Sequence, residues 1–242
     1  MTPDEAFFTV HADLPREGPG LPADVLWALE LAGVSAPGRV LDAGCGPGAD
    51  LEMLAEVLHE ARIEGVDGVA GFVAQASARV ARFGDRVRVF EGDMTALSGP
   101  YDFIWCAGAL YYPGVTEGLR AWRGALARGA TVAFSEPVLT GPLEGAVMEF
   151  WAGYPEITNL DGVAARVQAA GYEVLGHRMV QGAAWEAYYA PMEARIAGLK
   201  PATDPALAAA IEDAEREIAL WRQAQGAIAY ALLVVRPVDE AS

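Results

Sequence analysis

Between Gly38 and Pro137, short runs of β-branched and apolar residues alternate with segments whose apolar positions recur every three or four residues. That alternation is the mark of a parallel sheet covered on both faces by helices. Strands are predicted at Arg39–Leu41, Ile63–Val66, Val87–Phe90, Tyr101–Cys106 and Ala130–Phe134, each followed by turn residues or a helix start. Leu51, Leu54, Ala55 and Leu58 stripe a first helix, Val69, Phe72, Val73, Ala76 and Val80 a second, and Leu119, Trp122 and Leu126 a third. Upstream, Ala23–Ala32 reads as a helix, preceded by a Pro- and Gly-rich arm from His11 to Pro22 that cannot be regular structure. Downstream, helical patterns run through Val147, Phe150, Trp151 and Tyr154 and through Val163, Val167 and Ala170, the latter closed by Gly171 as its C′ residue. Strands follow at Tyr172–Val180 and Ile228–Val235. The stretch between them is far longer than a hairpin turn. It contains a helix striped by Leu207, Ile211, Ala214, Ile218 and Trp221, with Glu212 and Arg216 spaced to pair, and reads as a helical insertion between antiparallel edge strands.

At 242 residues the chain fits one large domain. We divide it into an N-terminal lid arm and helix (1–35), a binding core (38–137), and two helical insertions (138–171 and 181–225) expected to cap the core. A composition of 53% hydrophobic and 21% charged residues is globular, and a net charge of −16 repels phosphate backbones, so nucleic acid is not an expected partner. No apolar run has the length of a membrane span, and the acidic start lacks the pattern of an export signal, which makes the cytoplasm the expected compartment. Cys45 and Cys106 stand far apart, outside any metal or disulfide spacing, and read as reduced thiols; no metal-ligating constellation emerges. Monomer and homodimer both stay open.

The segment Val40–Gly48 runs from a strand through a glycine-rich turn into a helix. Gly44, Gly46 and Gly48 let the backbone turn tightly and approach a ligand, and the helix start offers free N–H groups to a nucleoside-type molecule. The spacing Gly44-x-Gly46-x-x-Ala49, with Asp67 about 20 residues on, also satisfies the dinucleotide pattern of nicotinamide or flavin oxidoreductases. Charge weighs against that alternative, because a pyrophosphate here would sit near Asp42, Asp50 and Glu52. A cationic nucleoside without phosphate suits the same turn.

Val40–Gly48 resembles the first motif of class I S-adenosylmethionine-dependent methyltransferases, with the acid Asp42 two residues before the first glycine. Glu64–Gly68 is similar to the family's second-strand acid motif, Glu91–Met94 to its adenine-contacting segment, Tyr101–Cys106 to its fourth strand, and Leu126–Phe134 to its turn into the fifth. The arm from Phe7 to Gly20 resembles the N-terminus of the bacterial ubiquinone and menaquinone methylase-like group. The resemblance implies a Rossmann-like, doubly wound, seven-stranded α/β sheet with an antiparallel last strand and helical insertions. It implies S-adenosyl-L-methionine as cofactor, with Asp67 on the ribose hydroxyls, Asp93 on the adenine amine, Gly68, Val69 and Met94 beside the ring, and Gly44 and Gly46 along the methionine tail. Asp42, the backbone of Cys45, and Cys106 complete the expected cofactor site, and Arg16 is placed to reach the methionine carboxylate.

Methyl transfer from a sulfonium is an in-line displacement that needs alignment more than a catalytic triad. The loops after the fourth and fifth strands offer Tyr111 and Glu136 as catalytic candidates, and the arm offers His11. Where relatives often carry an acid, this chain has Ala107. Tyr111, Tyr112, Phe150, Trp151, Tyr154, Trp185 and Tyr188 are expected to wall an apolar pocket for a small methyl acceptor; Glu144 and Glu149 are an alternative lure for an amine. The competing functions are an NAD(P)-type oxidoreductase and a non-catalytic module that only binds the nucleoside.

Overall fold

A computed structural model describes residues 1–238. Among these residues eight strands form one sheet: β1 (Arg39–Ala43), β2 (Arg62–Asp67), β3 (Val87–Glu91), β4 (Tyr101–Ala107), β5 (Leu126–Leu139), β6 (Thr158–Asn159), β7 (Tyr172–Val180) and β8 (Ile228–Pro237). Their order is β3-β2-β1-β4-β5-β8-β7, with β6 paired to β5 off that path. Strands β1 to β5 pair in parallel, and β8 runs antiparallel to both of its neighbours. The seven expected strands are all present, and the Rossmann-like architecture with its antiparallel last strand stands. The eighth, β6, has two residues, too few to leave an alternation in the sequence.

Alternation along each strand feeds two separate cores. Val40, Phe103, Trp105 and Ala133 enter one, while Leu41, Ile104, Cys106, Val132 and Phe134 enter the other. The first is covered by α2 (Pro22–Leu31) and α3 (Ala49–Val57), beside α4 (Ala70–Val80). The second is covered by α5 (Val115–Trp122) and α7 (Leu160–Ala169). Helix α7 therefore shields the sheet and does not join the cap expected of 138–171. It ends at Gly171, whose φ of +81° is the left-handed conformation a C′ residue needs.

Above the carboxyl ends of the parallel strands lie α1 (Pro3–His11), α6 (Gly145–Phe150), α8 (Ala183–Leu199) and α9 (Pro205–Gln223), with α9 packed on both α1 and α6. Two of these helices, α1 and α8, are not foreseen by periodicity. A capping box starts α1: the Thr2 amide donates to Glu5 Oε2 at 2.8 Å and the Glu5 amide to Thr2 Oγ1 at 3.2 Å. In α8 the aromatic and small residues spread around the axis and Pro191 sits inside, so no single stripe appears. Leu126, read as the end of a helix, opens β5 instead. Arg216 pairs with Glu149 of α6 and not with Glu212, because tertiary packing offers it a carboxylate across the α6–α9 contact. Among the described residues no helix is long and apolar enough to cross a membrane.

Candidate functional site

The turn between β1 and α3 is held open by backbone conformations that only glycine adopts easily. Gly44, Gly46 and Gly48 have φ of +73°, +51° and +90°. A Cβ on Gly44 would lie 2.5 Å from the Ala109 Cβ, so the loop after β4 closes directly over this residue. The amides of Gly44 and Cys45 both donate to the Val66 carbonyl, at 2.8 and 3.0 Å, which ties the turn to the end of β2.

At that end Asp67 is fixed by two backbone amides: Gly46 donates to Oδ2 at 2.8 Å and Val69 to Oδ1 at 2.9 Å. Each oxygen keeps a free lone pair for a further donor. Beyond β3, Asp93 Oδ1 accepts from the Thr95 amide at 2.8 Å and its hydroxyl at 2.7 Å, and these bonds hold its carboxyl below the ordinary range. Met94 is anchored from α5, where the fully buried Trp122 donates its indole N–H to the Met94 carbonyl at 2.7 Å. These groups line a cavity of about 380 Å³ together with Arg16, Glu17, Asp42, Asp50, Gly68 and Val69. That volume suits a small ligand.

The charge of this cradle is lopsided. Its described lining holds five acids (Glu17, Asp42, Asp50, Asp67 and Asp93) and one base, Arg16. The base is committed, since Arg16 Nη2 donates to Asp50 Oδ1 at 2.7 Å, and Trp105 Nε1 donates to Asp50 Oδ2 at 3.2 Å. Asp42 is 2% exposed with Oδ2 unpartnered, and burial, then Asp50 and Asp67, push its carboxyl well above the usual range. Burial and then Asp42 likewise push the Cys45 thiol up, away from nucleophilic chemistry. At an effective dielectric of about 20, each carboxylate roughly 5 Å from a ligand anion costs on the order of 3 kcal/mol per charge. Glu52, counted among the acids in the sequence, instead pairs with Arg79 and Arg82 at 3.4 and 3.0 Å and does not line the cavity.

A second cavity of about 580 Å³ adjoins the first. All seven residues expected to wall an acceptor pocket line it: Tyr111, Tyr112, Phe150, Trp151, Tyr154, Trp185 and Tyr188. Most of their rings pack edge to face, with Trp185 at 5.6 Å from Phe150 and 5.4 Å from Tyr230 between centroids, while Tyr111 and Tyr112 are tilted at 4.4 Å. Residues not assigned to the pocket from the sequence join them, among them Phe7 and Phe8 of α1, Phe72 of α4, Glu217 of α9 and Tyr230 of β8. The Thr2–Glu5 capping pattern was the available signal for α1; Tyr230 is masked by the apolar run around it. Seven residues face both cavities, including Glu17, Phe72, Tyr111 and Tyr112. At this junction His11 Nδ1 lies 2.6 Å from Glu17 Oε2, with the imidazole stacked on Phe7 at 4.0 Å.

Four expectations need correction. Cys106 is 0% exposed and enters the second core, since strand alternation turns it away from the cradle; Ala107 and Gly108 line the cavity in its place. Glu136 faces neither cavity. It lines a third of about 560 Å³, beside Arg166 and behind Tyr111 and Tyr154, where burial pushes its carboxyl up to about 8 against the opposing pull of Arg166. Burial also pushes the Tyr111 phenol up, away from the ionised form a general base needs. Glu149, offered as an amine lure, is taken by Arg216.

Residues 40–129 match a family profile described as a methyltransferase domain. A trans-aconitate 2-methyltransferase of Streptomyces avermitilis is 34% identical over 131 residues, covering 52% of this chain and 44% of the relative. The chain thus matches less than half the length of that curated relative. Two solved structures, each of a SAM-dependent methyltransferase in complex with S-adenosyl-L-homocysteine, share the fold at 20% identity. The one from Thiobacillus denitrificans has a TM-score of 0.83 and covers 96% of this chain and 98% of its own. The one from Geobacter sulfurreducens has a TM-score of 0.82, with 97% and 98% covered.

Proposed function

We propose that this chain, with a methyltransferase domain at residues 40–129 on the class I fold, transfers a methyl group from S-adenosyl-L-methionine to a small, partly apolar molecule. The observation that carries the reading is the cradle, a backbone-built nucleoside site whose five acids and single committed base suit a sulfonium and an ammonium and disfavour a pyrophosphate. The residues present fit the cofactor. Asp67 keeps free lone pairs for the ribose hydroxyls, the left-handed Gly44 leaves room for a close-lying chain, and the unpartnered, buried Asp42 oxygen gains from a positive group nearby.

When bound, the cofactor supplies a methyl carbon on a positively charged sulfur that departs as a neutral thioether. Asp67, Asp93, Met94 and Val69 hold the nucleoside, and Arg16 closes the opposite side through Asp50. Tyr111, Tyr112 and Phe72, which face both cavities, border the line along which the acceptor approaches, and the aromatic walls behind them exclude water. His11, the arm residue considered for proton transfer, reaches that junction through Glu17. Two buried, free thiols support a reducing, cytoplasmic setting.

The adjoining chamber counts against a module that only binds the nucleoside, and the acids count against a dinucleotide oxidoreductase. A melting series tests the reading. S-adenosylhomocysteine at about 100 times its Kd stabilises by about 2.7 kcal/mol, a rise of roughly 5–10 °C at this chain length, and NADH gives none. A rise with NADH alone overturns it.

A further inference from the structure

We propose that the methyl acceptor is an apolar amine that docks as its ammonium, and that the Glu17 carboxylate receives its N–H at the junction of the two cavities. This rests on the methyl-transfer reading and names the substrate class it leaves open. Three observations combine. Among the described residues lining the chamber there is no lysine and no arginine, but there are three carboxylates: Glu17, Asp213 and Glu217. An acceptor anion would meet these carboxylates with no lysine or arginine to offset them, His11 being engaged by Glu17. Much of the remaining wall is aromatic, and ring faces bind a cation. Glu17 itself stands between the cavities with one oxygen bonded to His11 and the other, Oε1, buried without a partner. A buried unpartnered carboxylate oxygen is costly, and an ammonium N–H satisfies it in a way an ether or ester cannot.

The same position accounts for the proton. The docked ammonium, crowded by the sulfonium across the junction, gives one proton to Glu17, leaving a neutral amine and a carboxylic acid. The nitrogen lone pair then forms the new N–C bond as the C–S bond breaks, its electron pair leaving with sulfur. The product is a methylated ammonium, and Glu17 returns its proton to solvent past His11.

The test uses the wild-type chain saturated with S-adenosylhomocysteine and titrated calorimetrically with matched triplets of one apolar body: benzylamine, benzyl alcohol and benzoate; phenethylamine, 2-phenylethanol and phenylacetate; octylamine, octanol and octanoate. In at least one triplet the amine binds about tenfold or more tighter than the alcohol, with the carboxylate weakest. Glu17→Gln brings the amine-to-alcohol ratio to within about twofold. Glu217→Gln, which lies on a different element, lowers the ratio by a smaller factor and keeps the test alive if the first variant does not fold. The proposal is overturned if no amine outbinds its alcohol, or if a carboxylate binds best, in protein that still takes up S-adenosylhomocysteine. Failure to take up S-adenosylhomocysteine at all overturns the methyl-transfer reading instead.

Discussion

The cofactor cradle and the aromatic chamber share a wall but are built by opposite means. Backbone makes the cradle: three left-handed glycines, two amides on the Val66 carbonyl and two on Asp67, contributed mostly by one strand–turn–helix crossover. Side chains make the chamber, drawn from α1, α4, the loop after β4, α6, α8, α9 and β8. A backbone site is rigid and recognises a common ligand; a side-chain site can be refitted without disturbing it. On the proposed reading, cofactor binding ends and acceptor specificity begins at Glu17, Phe72, Tyr111 and Tyr112, which line both cavities.

The largest expected break falls on the cradle. Asp67→Ala removes a buried carboxylate from two amides and, on the proposed reading, from the ribose, and lowers S-adenosylhomocysteine affinity about 100-fold by calorimetry. Gly44→Ala places a methyl 2.5 Å from Ala109 at a positive φ; it costs about 1–3 kcal/mol, read as a lower Tm together with weaker S-adenosylhomocysteine binding. On the other side of the wall, Phe8→Ala trims a 39%-exposed ring of the chamber. It raises the KM for the acceptor by about fivefold and leaves the S-adenosylhomocysteine Kd within about twofold, because Phe8 lines the chamber and not the cradle. An equal effect on both would dissolve the distinction.

The smallest effect on either cavity comes from Glu136→Gln. With its carboxyl raised from 4.5 to about 8, the folded chain holds a proton that the unfolded chain has released across that interval. The resulting stabilisation is complete below pH 4.5 and is lost as the pH climbs toward 8. The wild-type Tm therefore falls relative to the Gln variant over this window, at about 2–4 °C per kcal/mol, while S-adenosylhomocysteine binding does not change. A variant with the same pH profile as the wild type would mean that Glu136 ionises normally.

The same contrast explains what the sequence discloses. The cradle is legible because its determinants sit in short contiguous segments: Asp42, Gly44 and Gly46 fall on one strand and the turn after it, Asp67 ends β2 and Asp93 follows β3, and the β-branched run of each strand marks it. The sheet is legible for the same reason. The chamber is legible only as a list of aromatics, since neither α8, with apolar residues all around it, nor the two-turn α1 shows a stripe, and the approach of α1 to α9 is set by packing far apart in the chain. Cys106 shows the opposite error. Its place beside motif residues suggested the site, but a single step along a strand reverses the face it serves. Glu17 lay unread in an irregular arm, because only the fold sets it against His11 and between two cavities.

Calorimetric titration of the wild-type chain with S-adenosylhomocysteine and, separately, with NADH at neutral pH and low salt tests the cradle most directly. The account predicts saturable binding of one nucleoside thioether per chain and no heat of binding with the dinucleotide. Binding of NADH with no response to the thioether would contradict it.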